Sequence, residues 1–206
     1  MFDSAYVVMD RLPGATLNEL TYRRPEVIEK NMVTISYQLG MHMAFSYIFG
    51  AKDGYQTNYV FDPVSKLLTR IDKESFLEVP NNPTSTLSDG DDYTQEIAAC
   101  ELTNLKYIPS FREPATRPKV LYAFKQGFLD KYSDIKSKKD DLLTMVQETR
   151  GAWAKMKPPE DEQEYAQITS QIKDAVQHLI TQESELVFQR LVAAKKEVDE
   201  GKYKKR

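Results

Sequence analysis

The chain has 206 residues, 41% of them hydrophobic and 29% charged, so it can bury a core and is not expected to be disordered throughout. The formal net charge of −3 argues against a general nucleic-acid-binding protein. One cysteine and two histidines are too few for a disulfide framework or a Cys/His zinc cluster. Because the first residues do not have the pattern of a signal peptide and no apolar run could span a bilayer, we expect a cytoplasmic protein without a membrane span.

The first quarter of the chain is predicted to hold a short strand and a central helix. Residues 6–10 (YVVMD) have the composition of a short buried strand, and a helical turn follows with Thr16 as its N-cap. A helix is predicted over residues 25–49, because a proline opens it and Gly50 suits its C′ position. Residues 32–49 are apolar on nearly every side, so we expect this helix to lie in the middle of the core.

A strand hairpin is predicted after this helix. Residues 58–61 and 66–71 have the composition of two strands, and Asp62-Pro63 between them is a turn signal. Residues 80–92 are rich in proline, asparagine, serine and glycine, which indicates a polar loop.

The rest of the chain is predicted to be helical, over residues 93–107, 118–135, 138–157 and 161–200. The last two segments are expected to form an amphipathic helical hairpin. This hairpin is either an ordinary C-terminal pair packed on the body of the protein or a dedicated coiled coil that binds a partner.

The loop after the central helix holds a set of residues that suits phosphoryl transfer. Such a reaction needs a carboxylate that orients the attacking hydroxyl and oxygen ligands that hold magnesium on the phosphates. Asp53 and Asn58 form an Asp-x4-Asn motif, and the predicted hairpin carries Asp72 back towards them. The other interpretation is that this aspartate and this asparagine only cap turns in the loop.

Three blocks together resemble the protein-kinase-like superfamily, and most closely its aminoglycoside phosphotransferase and choline kinase branch. Residues 6–17 (YVVMDRLPGATL) resemble the hinge strand of that branch with its Leu-Pro-Gly and short helix. The Asp-x4-Asn motif resembles its catalytic loop, and residues 71–74 (IDKE) resemble its metal motif. The resemblance covers about residues 5–78 and implies an α+β, mostly α-helical fold: a kinase-like C-lobe over residues 1–135 and a helical hairpin extension over residues 136–206.

The resemblance also implies the residues that would bind the nucleotide. Met9 would occupy the gatekeeper position, and the backbone of Asp10 and Leu12 would meet the adenine edge of ATP. Tyr55 or Gln56 is expected to line the substrate side.

For the reaction itself, the resemblance implies Asp53 as the catalytic base and Asn58 with Asp72 as the ligands of Mg²⁺. Lys52 stands beside the base, where the family often has a histidine in the neighbouring positions. It would stabilise the transferred phosphate, or else it is a surface residue. Lys73 and Glu74 replace the Phe-Gly of ordinary protein kinases, which argues against a conventional protein kinase.

In this superfamily an N-lobe precedes the hinge strand, whereas this sequence begins at that strand. The sequence is then a fragment, or another chain supplies the N-lobe, or the fold is a degenerate scaffold, and we expect weak or absent ATP binding by this chain alone. We predict an ATP- and Mg²⁺-dependent phosphotransferase lobe. The alternative is a non-catalytic, pseudokinase-like module that binds a partner through its C-terminal helices. A third hypothesis, a wholly helical interaction protein, fails if residues 58–72 form a strand hairpin beside a long buried helix.

Overall fold

A computed structural model describes residues 12–51, 54–71, 92–156 and 162–201 of the protein. These residues are mostly helical and include one small antiparallel sheet, which confirms the predicted α+β, mostly α-helical class. The predicted hinge strand at residues 6–10 and nearly all of the predicted polar loop lie outside the described residues. Within the described residues, we find no helix with both the length and the apolar character needed to cross a membrane.

The sheet contains β1 (Ala15–Thr16), β2 (Tyr59–Asp62) and β3 (Leu67–Arg70), in that order and all antiparallel. Residues 59–62 pair with residues 67–70, so the predicted hairpin is confirmed. The Asp62 carboxylate closes the turn by accepting hydrogen bonds from the backbone of Val64 and Ser65.

The helices before the hairpin are α1 (Leu17–Arg23), α2 (Pro25–Lys30) and α3 (Met32–Phe49). The prediction of one helix over residues 25–49 is wrong, because Asn31 interrupts it with φ −115° and ψ 14°. The Asn31 side chain donates to Val27 O at 2.8 Å, and so takes the carbonyl that its own N–H would use in a continuous helix. Gly50 ends α3 as predicted, with φ 63°.

The hypothesis of a wholly helical protein fails by its own criterion. The hairpin lies against α3, which is long and has a largely buried surface that includes Ile35, Leu39 and Met43. The other two hypotheses are compatible with this arrangement.

The start of α1 is a capping box, which confirms Thr16 as an N-cap. Glu19 N donates to Thr16 Oγ1 at 3.1 Å, and Thr16 N donates to Glu19 Oε2 at 3.0 Å. Two backbone N–H groups that have no partner inside the helix are thus satisfied.

Replacing Thr16 with alanine is expected to lower the free energy of unfolding by about 1 kcal/mol, because the N-cap hydrogen bond is lost. Urea denaturation measures this. Thr144→Ala, at an exposed position in the helix that follows Lys138, is the control and is expected to be neutral or slightly stabilising. Equal effects of the two substitutions would contradict the capping role.

The helices after the hairpin are α4 (Asp92–Glu101), α5 (Pro109–Arg112), α6 (Arg117–Ser137), α7 (Lys139–Met156), α8 (Glu162–Thr181) and α9 (Ser184–Asp199). The predicted helix over residues 161–200 is two helices, so that prediction is wrong. The chain turns at Gln182 and Glu183, where Glu183 has an extended backbone and its carbonyl accepts the N–H of Val187. Gln182 accepts a hydrogen bond from the Tyr47 hydroxyl of α3 at 3.2 Å, a tertiary contact that the local sequence does not reveal.

One continuous core joins α3, the sheet, α4, α6, α8 and α9. Helices α3 and α6 pack most extensively against each other, and α9 packs on α4 and α6. The apolar stripes of α8 and α9 therefore face the body of the protein. The boundary proposed between residues 135 and 136 falls in the last turn of α6 and stays a prediction.

Candidate functional site

Most of the predicted site residues fall in segments for which no structure is described. Leu12 and Asn58 are described: Leu12 is 41% exposed, and Asn58 ends a 3₁₀ helix over Gln56–Asn58. The predicted site residues that lie outside the described residues are Met9, Asp10, Lys52, Asp53 and Asp72.

The two residues that flank Lys52 and Asp53 are both buried and both held by side chains. On one side, Nη1 and Nη2 of Arg70 each donate to Ala51 O at 3.2 Å. On the other side, Nδ2 of Asn104 donates to Gly54 O at 2.6 Å. The loop is thus fixed at both ends by residues from β3 and from the 3₁₀ helix over Leu102–Tyr107.

The end of the hairpin is joined to the end of the same loop. Ile71 N donates to Asn58 O at 2.8 Å, and Asn58 N donates to Tyr55 O at 2.8 Å. Asn58 therefore lies directly beside the residue that precedes Asp72. Tyr55 is 48% exposed and Gln56 is partly exposed, so both can reach solvent.

A buried ion pair lies under the loop. Arg70 Nη1 and Glu101 Oε1 are 3.3 Å apart, and the two side chains are only 2% and 1% exposed. Ser46 Oγ donates to Glu101 Oε1 at 2.5 Å, and the Tyr59 hydroxyl donates to Glu101 Oε2 at 2.7 Å. Each carboxylate oxygen is thereby satisfied, as a buried charge requires.

Burial controls the ionisation of this cluster. Desolvation raises the pKa of Glu101, and the positive charge of Arg70 and the hydrogen bonds from Ser46 and Tyr59 offset only part of this increase. Burial, together with the negative charge of Glu101, raises the pKa of Tyr59 well above its usual value. Tyr59 is therefore a neutral hydrogen-bond donor to the carboxylate.

Gly54 lies against the same carboxylate. A Cβ atom on Gly54 would be 2.1 Å from Glu101 Oε1, closer than such atoms can approach. The carboxylate cannot swing aside cheaply, because Arg70, Ser46 and Tyr59 hold it. The loop can pack on Glu101 only with a glycine at this position.

Sequence reasoning missed Arg70, Glu101 and Asn104, although the first two leave a signal. Alternation along β3 places Arg70 on the same inward face as Leu68, and Glu101 follows Ile97 by one helical turn. Two opposite charges at core positions of different elements predict a buried pair. Asn104 leaves no comparable signal, because it stands between polar Thr103 and apolar Leu105 and no pattern marks it as a core position.

A cavity of about 250 Å³ borders Ala51 and Arg70 on the side of α3, and most of its lining is apolar. Its cations are already neutralised: Arg70 pairs with Glu101, and Lys131 pairs with Asp134. The cavity therefore offers apolar contact rather than an open charge.

Among the described residues, no three histidine, cysteine, aspartate or glutamate side chains come together in a way that could hold a metal ion. The predicted pair of Asn58 and Asp72 is not covered by this finding, because Asp72 is outside those residues. In the comparisons with known proteins, no family model matches the chain, and no similar curated protein or solved structure was found.

Proposed function

We propose that the chain is the C-lobe of an ATP- and Mg²⁺-dependent phosphotransferase of the protein-kinase-like superfamily, nearest the aminoglycoside phosphotransferase and choline kinase branch. One observation carries the proposal: the chain segments next to all three motif residues are fixed to one another. Ala51 and Gly54 are held on either side of Asp53, and Asn58 is bonded to the residue before Asp72. A loop whose aspartate and asparagine only cap turns would not require these long-range anchors.

In this proposal Asp53 is the catalytic base. Its carboxylate would orient the hydroxyl of the substrate and accept its proton as the phosphoryl group is transferred. Lys52, beside it, would stabilise negative charge on that group. Phosphoryl transfer depends mainly on positioning, and the fixed ends of the loop suit that requirement.

Asn58 and Asp72 suit magnesium by their chemistry, since amide and carboxylate oxygens are ligands that this ion accepts. Bound Mg²⁺ would neutralise the charge on the nucleotide phosphates. Met9 would occupy the gatekeeper position, and the backbone of Asp10 and Leu12 would contact the adenine of ATP on the hinge side. Leu12 is 41% exposed, which is compatible with a ligand reaching it.

The alternative is a non-catalytic module that binds a partner through its C-terminal helices. The apolar faces of those helices, including Leu179 and Leu191, are buried in the chain's own core. A partner would have to use the outer faces, where Leu186 and Val192 are partly exposed. The phosphotransferase proposal needs no such additional surface.

Asp53→Asn is expected to reduce phosphate transfer from Mg-ATP at least about a hundredfold, because the base is lost. Transfer of labelled phosphate to choline, aminoglycosides and other small hydroxyl compounds measures this, at millimolar Mg-ATP since we expect weak nucleotide binding. Asp141→Asn, exposed on α7, is the control and should retain full activity. Equal activity of the Asp53 variant and the wild type would overturn the assignment. No transfer by the wild-type chain at a Mg-ATP concentration that saturates its nucleotide binding would favour the non-catalytic alternative.

A further inference from the structure

Asn104 is fully buried, and only one end of its amide is satisfied. Nδ2 donates to Gly54 O at 2.6 Å and lies 3.4 Å from Cys100 O. Two carbonyl groups face the nitrogen, which fixes the orientation of the amide. The other end, Oδ1, is buried without a hydrogen-bond partner among the described residues.

A buried acceptor without a partner destabilises a folded protein, and an apolar residue of the same shape would avoid that penalty. Leucine is close to asparagine in shape. It would remove the unsatisfied Oδ1 but leave the buried Gly54 O without this donor, so the two penalties offset and stability alone does not explain the amide at this position. Leucine could replace neither the hydrogen bond to Gly54 O nor the longer one to Cys100 O, and only the first joins distant parts of the chain. This is the pattern expected where a residue serves function at a cost in stability.

We propose that Asn104 is a positioning residue for the loop that carries Lys52 and Asp53. It fixes the carboxyl end of that loop at Gly54, while Arg70 fixes the amino end at Ala51. The inference rests on the proposed function, in which Asp53 is the catalytic base.

The two anchors have different consequences for the rest of the molecule. Arg70 also neutralises Glu101, so its loss disturbs the core. Asn104 carries no charge and forms one tertiary hydrogen bond, to the loop. Removing its amide should therefore loosen the loop while leaving the core intact.

The test is Asn104→Leu in the 206-residue chain. We expect hydrogen exchange of peptides within residues 51–58 to accelerate about tenfold, with a melting temperature within about 2 °C of wild type. We expect kcat for phosphate transfer from Mg-ATP to fall about tenfold or more while KM for Mg-ATP changes much less, because the base is misplaced whereas Asn58 keeps its backbone hydrogen bond to Ile71.

Thr103→Val is the matched control, because Thr103 is the neighbouring residue and loses only a local hydrogen bond, to Ala99 O in the last turns of α4. It should change neither loop exchange nor kcat. Asn104→Ser, which is too short to reach Gly54 O, should reproduce the loop effect if the leucine variant does not fold.

Unchanged exchange in residues 51–58 of a folded Asn104 variant would overturn the inference, as would a faster exchange spread evenly over the core. Failure of the proposed function looks different, because the wild-type chain would then transfer no phosphate. In that case faster exchange confined to the loop would still support Asn104 as its anchor.

Discussion

Replacing either Gly40 or Gly127 with alanine is expected to destabilise the protein by about 3 kcal/mol. These glycines lie where α3 crosses α6. A Cβ on Gly40 would be 1.9 Å from Phe124 O, and one on Gly127 would be 1.8 Å from Tyr37 O. Both obstacles are helical backbone, so relief requires the two helices to move apart along the most extensive interface in the core.

The direction of the stability change shows whether the crossing of α3 and α6 is tightly packed. Alanine normally stabilises a helix relative to glycine by about 1 kcal/mol, so a crossing with spare room would give a more stable protein. Because both methyl groups would separate the same two helices, the double variant should lose less stability than the sum of the single variants. Urea denaturation measures all three. Tyr122→Ala, 68% exposed on α6, is the control and should stay within about 0.5 kcal/mol of wild type.

The parts of the fold that could be predicted are those fixed by local chemistry. Thr16 is the N-cap of α1 because its hydroxyl accepts a backbone N–H of the first turn, and Gly50 ends α3 because it tolerates a positive φ. The turn at Asp62-Pro63 sets the register of the hairpin. Each of these signals lies within a few residues of the feature it specifies.

The parts that could not be predicted depend on contacts between distant residues. The chain turns at Gln182, where neither proline nor glycine is present, and Gln182 meets Tyr47 from α3. The helix break at Asn31 has a local cause, but asparagine inside an apolar pattern is too common to identify it. At the candidate site, the motif identifies the candidate loop by local spacing, whereas the anchors of that loop, Arg70 and Asn104, come from elements whose positions only the fold reveals.

The largest effect is expected at the ion pair beneath that loop. Arg70→Met should lower the free energy of unfolding by about 3–5 kcal/mol at neutral pH, because it leaves the carboxylate of Glu101 buried without its cation. Lys125→Met is the matched control, since it breaks a pair with Glu185 whose side chains are 36% and 40% exposed, and should cost less than about 1 kcal/mol. Adding Glu101→Gln to Arg70→Met should recover part of the lost stability, because it removes the unpaired charge.

The cost of Arg70→Met should also depend on pH. In the wild type, burial already raises the folded-state pKa of Glu101. Protonation of Glu101 therefore favours the folded state, and this contribution to the free energy of unfolding is lost as pH rises through the folded-state pKa. The charge of Arg70 lowers the pKa of Glu101, so this pKa is higher still in the Arg70→Met variant. On acidification, Glu101 is therefore protonated in the variant at a higher pH than in the wild type. The stability difference should therefore shrink as pH falls from neutral towards about pH 5, as measured by urea denaturation at several pH values. If the stability difference is constant over this range, or grows on acidification, then the destabilisation does not come from an unpaired charge on Glu101.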